Sequence, residues 1–254
     1  MTPSPTSPPG LVSELSGQGA HLFRWRSYPP VLVMALLLGQ VVVDPVPAGG
    51  PGAGASWTAV GMVLGTLGLL LRAWTVGTVP AGTSGRGTKE QRSETLNTTG
   101  SYSLVRHPLY LGNALLWAGV AATTGSPGAV LVTVLVFWLY YERIMMAEER
   151  FLWERHGDAF RAWAARTPTF LPGFSGWAPS PWPFSLRFAL GRDYPALFAF
   201  VAATTAVALV RAVATGGGWR LPLPWLAWLA AGATAYVALH ALKRLTRALE
   251  VEGR

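Results

Sequence analysis

The sequence predicts an all-α, polytopic integral membrane bundle of about six transmembrane helices with both termini in the cytoplasm. Three observations support this fold class. Hydrophobic residues make up 51% of the 254 residues, and charged residues only 13%, about half of the roughly 25% that is usual in soluble domains. Long apolar runs alternate with polar, turn-rich segments. Lys and Arg lie mainly on one side of these runs, as in membrane proteins with a cytoplasmic positive bias.

The chain divides into three predicted regions. Residues 1–20 are rich in Pro, Ser, Thr and Gly, which predicts a disordered tail. No basic segment precedes a cleavable apolar run there, so no signal peptide is expected. Residues 21–176 are predicted to form a four-span core with cytosolic segments, and residues 177–254 to add two C-terminal transmembrane helices.

Six apolar runs are the candidate spans, at 28–46, 57–79, 109–124, 129–146, 194–214 and 223–242. The third and fourth are short for an apolar layer of about 30 Å, which predicts a tight hairpin. Gly61 and Gly65, with Gly68 beyond them, predict close helix packing in the second span. Arg72 lies in the same span, where it either has a function or extends to the interface.

Two longer polar segments face the predicted cytoplasm. Residues 80–105 form a long turn-rich connection, and long connections often carry function. Residues 147–166 alternate aromatic and charged residues, which predicts an interfacial helix broken at Gly157. All basic residues except Arg72, Arg211 and Arg220 fall on the cytoplasmic side in this topology.

Several classes of function are disfavoured. The net charge of +8 is explained by the orienting bias and predicts no nucleic-acid partner. The chain has no cysteine, which excludes disulfides and thiolate chemistry. No metal motif, Walker A sequence or strand followed by G-x-G-x-x-G is present, so neither a metal site nor a soluble-type nucleotide fold is predicted.

The candidate site combines two distant stretches. Proline is favoured at the first position of a helix and disfavours helical geometry in the residue before it, so Arg106 and His107 should lie just before a helix that starts at Pro108. Glu148 and Glu149 follow another apolar run, and a membrane hairpin would bring both stretches to the same face. Each charge alone also fits a simple interface residue; the combination favours a site.

The chemistry of this set suits a small zwitterionic ligand. Arg106 can hold a carboxylate or phosphate, and the glutamates can accept from an ammonium or from ribose hydroxyls. Tyr110 adds a ring and a hydroxyl. S-adenosylmethionine (SAM) is a formal match for these groups.

Residues 97–113 resemble the signature of the isoprenylcysteine carboxyl methyltransferase family, T-x-G-x-Y-x-x-x-R-H-P-x-Y-x-G. Glu148-Glu149 and Leu152, followed by residues 157–172, resemble its second half. Phe160 and Trp163 stand where that pattern usually has tyrosines. The resemblance covers roughly residues 57–174 and also extends to phospholipid methyltransferases of the membrane.

The resemblance implies a SAM-dependent membrane methyltransferase with a cytosolic cofactor site open to the bilayer. The implied cofactor-binding residues are His107, Pro108, Leu109, Tyr110, Gly112 and Glu149. The implied catalytic residues are Arg106, Glu148 and Arg166. The acceptor would be lipophilic, with a carboxylate, phosphate or amine as the methylated group, and Glu148 would serve as a base only for an amine.

Two other functions remain open from the sequence. Membrane sterol and enone reductases resemble this family in their C-terminal hairpin and bind NADPH. A non-catalytic membrane protein or transporter is the other alternative, although transporters place paired ionisable residues near the midplane. The excess of Arg over Lys, with abundant Ala, Gly and Trp, suggests a bacterial protein and hence the cytoplasmic membrane.

Overall fold

A computed structural model describes residues 10–46, 53–80 and 95–251. Within these ranges the regular secondary structure is α-helical, without strands. The predicted loop at 80–105 lies largely outside the described residues. The helices are α1 Leu11–Arg24, α2 Pro29–Val43, α3 Ala53–Gly77, α4 Ser101–Leu104, α5 Pro108–Ala122, α6 Pro127–His156, α7 Asp158–Ala164, α8 Leu186–Ala214 and α9 Leu223–Leu245.

The predicted helical membrane bundle is confirmed as a class, but the count of six spans is not. In the described part of the chain, α3, α6, α8 and α9 are long and apolar enough to cross a membrane. The α1–α2 pair would make a fifth span, but it is bent by 81°. Helix α5 has 15 residues, or about 22 Å. It is therefore short, as the sequence predicts.

The predicted disordered tail is wrong over residues 11–20, which belong to α1. Gly19 explains the difference, because a Cβ atom there would lie 1.8 Å from the carbonyl oxygen of Arg143 in α6. Ser16 and Phe23 are also buried. The small residues Ser16 and Gly19 let α1 pack directly on α6, and this tertiary contact outweighs the low hydrophobicity of the segment. Residues 1–9 lie outside the described part.

The segment between α1 and α2, residues 25–28, forms a sharp elbow. Pro29 opens α2 at the position where proline is favoured. The hydroxyl of Tyr140 in α6 donates a hydrogen bond to the carbonyl oxygen of Leu22, at 2.7 Å, just before the elbow. Trp25 and Tyr28 project outward and are 49% and 62% exposed.

Helix α6 is continuous, so the predicted boundary at residues 146–147 is wrong. It runs for 30 residues, about 45 Å. Ser126 caps its start by accepting a hydrogen bond from the Ala129 amide at 3.2 Å. The change from apolar to charged residues near Glu148 alters the surroundings of the helix, but Glu, Arg and Met all favour helix. The predicted break at Gly157 is confirmed, with φ at +52°.

Helices α3 and α5 approach closely, which confirms the packing role predicted for the glycines. A Cβ atom on Gly61 would lie 2.5 Å from the Gly119 carbonyl oxygen, and one on Gly68 would lie 2.7 Å from the Gly112 carbonyl oxygen. Gly65 meets the ring of Phe200 in α8. The α3–α5 pair therefore forms the centre of the bundle, with α8 packed against it.

The fifth apolar run begins earlier than predicted. Ser185 caps α8 by accepting from the Phe188 amide at 3.3 Å, so the helix starts at Leu186 rather than near residue 194. Pro195 lies inside the helix and does not end it. Helix α9 packs on α8, where Gly232 meets Val201.

Candidate functional site

The start of α5 is shaped by its contacts with the segment after α7. His107 is the N-cap residue and Pro108 the first residue of the helix. The Arg106 amide donates to the Pro168 carbonyl oxygen at 2.8 Å, and the Gly173 amide donates to the Leu104 carbonyl oxygen at 2.9 Å. These two hydrogen bonds fix the residues before α5 against the 168–173 segment.

The two aromatic residues that replace the usual tyrosines are both buried and pack on each other. The rings of Phe160 and Trp163 lie 5.7 Å apart, nearly perpendicular. The Trp163 indole donates to the Tyr102 carbonyl oxygen at 2.9 Å. Helix α7 is thus bonded to the residues that precede α5, although the two tyrosine hydroxyls are absent.

The structure brings both predicted stretches together in one charged cluster. Arg106 Nη1 lies 2.7 Å from Glu149 Oε2, and His107 Nε2 lies 2.9 Å from Glu149 Oε1. His107 Nδ1 lies 3.6 Å from Glu148 Oε2. Arg106 also donates through Nη2 to the Thr169 hydroxyl. Glu149 therefore connects the Arg-His pair, and Thr169 holds the same arginine from the opposite side.

The surroundings of His107 favour its positively charged form. Its side chain is buried, which lowers its pKa, but hydrogen bonds and charge interactions with Glu148 and Glu149 outweigh burial and raise the pKa above the usual value. Nε2 is within hydrogen-bond distance of Glu149 and Nδ1 faces Glu148, and the imidazolium carries a proton on both nitrogens. With His107 protonated, the cluster has two cations and two carboxylates.

Tyr110 and the neighbouring residues extend the cluster into the bundle. The ring of Tyr110 stacks on His107 at 5.5 Å and contacts the ring of Tyr141 at 5.0 Å. Tyr110 also interacts with the Glu148 carboxylate through its hydroxyl. Pro108 is fully buried and Leu109 half-buried, so both shape the helix start.

Gly112 and Arg166 lie apart from this cluster. A Cβ atom on Gly112 would meet Arg72 Cγ at 2.5 Å, so this glycine gives space to an arginine of α3. Arg166 is exposed and borders a cavity of about 290 Å³. The other residues that line this cavity are Thr98, Ser103, Thr167, Ser175, Gly176, Trp177 and Ala178.

A second polar network lies deeper, and sequence reasoning found only one of its members. Arg72 Nε donates to Asp193 Oδ2 at 3.1 Å, its Nη2 pairs with the other carboxylate oxygen, and its Nη1 donates to Asn113 at 2.5 Å. The Asn113 amide donates to the Tyr141 hydroxyl at 3.4 Å. Arg72 thus pairs inside the bundle and does not extend to the interface. Asp193 was missed because it precedes the predicted fifth span; an acidic residue beside an apolar run was the available signal.

No metal-binding group is evident among the described residues. No three His, Asp or Glu side chains there are grouped so that they could hold a metal ion. The chemistry of the site rests on the charged cluster and the surrounding rings.

Comparison with known proteins identifies relatives. The sequence model of the phospholipid methyltransferase family matches residues 57–159. The cobalt-zinc-cadmium resistance protein CzcN of Cupriavidus metallidurans is 33% identical over 175 residues, which cover 68% of this chain and 74% of that protein. The nickel-cobalt-cadmium resistance protein NccN of Alcaligenes xylosoxydans xylosoxydans is 32% identical over 151 residues, or 59% of this chain and 64% of that protein.

A third relative carries an enzyme name. Protein-S-isoprenylcysteine O-methyltransferase of Schizosaccharomyces pombe is 31% identical over 85 residues, which cover 33% of this chain and 36% of that protein. No solved structure matches the chain. The matched family region contains α3, α5 and α6, and with them Arg106, His107, Glu148 and Glu149. The chain therefore belongs to the isoprenylcysteine carboxyl methyltransferase-like, phospholipid methyltransferase-type family of integral membrane methyltransferases.

Proposed function

We propose that this protein transfers a methyl group from S-adenosyl-L-methionine to a lipophilic acceptor at the cytoplasmic face of a bacterial inner membrane. The observation that carries the proposal is the charged cluster where α5 begins beside α6. Its two cations and two carboxylates complement a ligand that has both a carboxylate and an ammonium. The positive bias of the polar segments on that side supports the cytoplasmic orientation of both termini.

The residues present fit the methionine part of SAM. Arg106 Nε is buried and has no hydrogen-bond partner among the described residues, so one donor is free for a carboxylate although Nη1 and Nη2 are engaged. The Glu148 side chain is 34% exposed and can accept from an ammonium. The ring of Tyr110 offers an aromatic face to the cationic sulfur.

When bound, SAM supplies a methyl group already activated by its sulfonium. The protein then has to align the reactants and exclude water. Glu149 contributes to alignment by holding the Arg106 guanidinium, and His107 contributes by holding Glu149. Pro108 and Leu109 fix the backbone at the start of α5, and Gly112 keeps α5 close to α3.

The acceptor would reach the site from the bilayer. A carboxylate or phosphate oxygen attacks without losing a proton. An amine has to lose one, and the Glu148 carboxylate would then act as the base. In a bacterial membrane, a lipid carboxylate, phosphate or amine is a more plausible acceptor than a prenylated protein.

Direct ligand binding to the detergent-purified protein tests the proposal. We expect saturable SAM binding by calorimetry and weaker binding of NADPH, the cofactor of the related reductases. His107→Ala and Glu149→Gln should each weaken SAM binding by about tenfold or more, roughly 1.4 kcal/mol. Glu154→Gln is the matched control, because Glu154 is exposed and pairs with Arg150 in the same helix.

Two results would contradict the proposal. If folded wild-type protein bound no SAM, SAM would be ruled out as the cofactor. If NADPH bound more tightly than SAM, a reductase would be favoured. Equal losses of SAM affinity in Glu149→Gln and Glu154→Gln would show that the charged cluster does not bind SAM specifically.

A further inference from the structure

Arg26, in the elbow between α1 and α2, lies outside the region that the family shares. Its guanidinium lies 4.0 Å above the ring of Phe23 at the end of α1, and the side chain is half-buried. Arg24, two residues earlier, is exposed. The elbow therefore presents two arginines in different surroundings, and only Arg26 is held inward.

The elbow is fixed beside the candidate site by α6. The Tyr140 hydroxyl holds the last turn of α1 through the Leu22 carbonyl oxygen, and Gly19 brings the α1 backbone into direct contact with Arg143. The ring of Tyr140 lies 5.5 Å from that of Tyr141, which in turn contacts Tyr110. The elbow that carries Arg26 consequently lies beside the ring cluster of Tyr140, Tyr141 and Tyr110.

Arg26 differs from the two arginines that the family motif supplies. Arg106 is paired with Glu149 and bonded to Thr169, and Arg166 borders a cavity elsewhere. Among the described residues, no carboxylate lies within ion-pair distance of Arg26. Its charge is therefore available to an anion that approaches Tyr110 and Glu148.

The elbow also has the character of a membrane–water boundary. Trp25 and Tyr28 are exposed on it, with ring centroids 5.3 Å apart, and such amphipathic rings concentrate at head-group depth. Helix α2 then continues with exposed Val31, Leu32 and Leu36. The Arg26 guanidinium therefore lies where the head group of a membrane-embedded molecule would be.

We propose that Arg26 binds the anionic head group of the methyl acceptor, which is accordingly an amphiphile with a carboxylate or phosphate oxygen as the methylated atom. This inference rests on the proposed methyltransferase function. A guanidinium can hold one oxygen of such a group and leave another free to attack. Arg26 would thus determine acceptor specificity from a helix pair that the shared core lacks.

The reaction balances without a base. An electron pair of the acceptor oxygen forms the new O–C bond, while the S–C bond breaks and its electron pair remains on sulfur. The anionic oxygen becomes a neutral ester oxygen, or a diester with one charge fewer, and the sulfonium becomes a neutral thioether. No proton moves. Because the product has lost a negative charge, Arg26 holds it less tightly, which favours release into the bilayer.

The test uses full-length protein in nanodiscs, with labelled SAM and three acceptor probes: dodecanoate, dodecyl phosphate and dodecylamine. The two anions distinguish a carboxylate from a phosphate acceptor. Arg26→Gln should raise the KM for the preferred anion by about tenfold or more, with SAM affinity unchanged. Arg24→Gln removes the same charge from the exposed side and should leave KM unaltered. Arg26→Lys keeps the charge, and its KM should lie between those of wild type and Arg26→Gln.

The outcomes separate this inference from the proposed function. If protein that binds SAM methylated only dodecylamine, or none of the probes, the proposed role of Arg26 would be wrong. The assignment of SAM as the cofactor would still hold. Equal effects of Arg24→Gln and Arg26→Gln would also overturn it. Wild-type protein that binds no SAM would instead remove the proposed function itself.

Discussion

The Arg72–Asp193 pair gives the sharpest prediction about how the bundle is held together. The Arg72 guanidinium donates three hydrogen bonds, two to the Asp193 carboxylate and one to the Asn113 side-chain oxygen. Only 16% of the Arg72 side chain and 9% of the Asp193 side chain are exposed. The Asp193→Leu substitution removes two of the bonds and leaves a cation that cannot lose its proton under ordinary conditions.

Removing one partner of a buried ion pair typically costs about 3–5 kcal/mol, because the other charge stays desolvated and unpaired. We expect a loss of this size in the free energy of unfolding of Asp193→Leu. The double variant Arg72→Met/Asp193→Leu removes both charges and replaces them with apolar groups. It should recover at least half of the loss, because no unpaired charge remains.

The assay is reversible unfolding in mixed detergent micelles, followed by circular dichroism, for the two single variants and the double variant. Glu154→Gln provides the reference for an exposed pair, where a loss below about 1 kcal/mol is normal. If Asp193→Leu lost no more stability than Glu154→Gln, or if the double variant were less stable than either single variant, the Arg72–Asp193 pair would not stabilise the bundle as a buried ion pair.

Three further predictions concern His107, Gly119 and Arg166. His107 has a folded-state pKa above its unfolded value of about 6.5, so its contribution to stability is complete below about pH 6.5 and is lost as pH rises through the folded pKa. In unfolding titrations, His107→Gln should therefore destabilise the protein more at pH 6 than at pH 9. A destabilisation that does not depend on pH would refute the charge assigned to His107. Gly119→Ala places a Cβ atom 2.7 Å from the Gly61 carbonyl oxygen and should cost about 1–3 kcal/mol of unfolding free energy, whereas Gly39→Ala meets nothing within 4 Å and should be neutral or stabilising. Arg166→Ala should weaken SAM binding in calorimetry less than His107→Ala, because Arg166 lies outside the charged cluster; an equal or larger loss would place the cofactor in its cavity.

The sequence predicted the features that depend on local rules. Pro108 set the start of α5, Gly157 ended α6, and the glycines of α3 marked a close helix contact. The meeting of Arg106 and His107 with the two glutamates followed from a simple hairpin. Each of these needs only a residue type and its neighbours in the chain.

The missed features depend on contacts between distant segments. Nothing local in Ser16 or Gly19 indicates a helix that packs on α6, because their smallness matters only when the partner is known. Asp193 lies beside an apolar run, and its partner Arg72 is 121 residues away in the chain. Near Glu148 the sequence of α6 changes from apolar to charged because the surroundings of the helix change there. The hydrophobic pattern of the sequence cannot distinguish this from the end of a helix.

The unbroken length of α6 has a consequence for how the site senses its surroundings. One rigid rod carries Phe137 and Tyr141 among apolar neighbours and Glu148 and Glu149 at its charged end. A thinner or thicker bilayer changes the tilt of such a rod by hydrophobic mismatch. Because α6 has no break before Gly157, a change of its tilt also moves the carboxylates of Glu148 and Glu149. A change in bilayer thickness that tilts α6 would therefore move Glu148 and Glu149 relative to His107, which belongs to the start of α5.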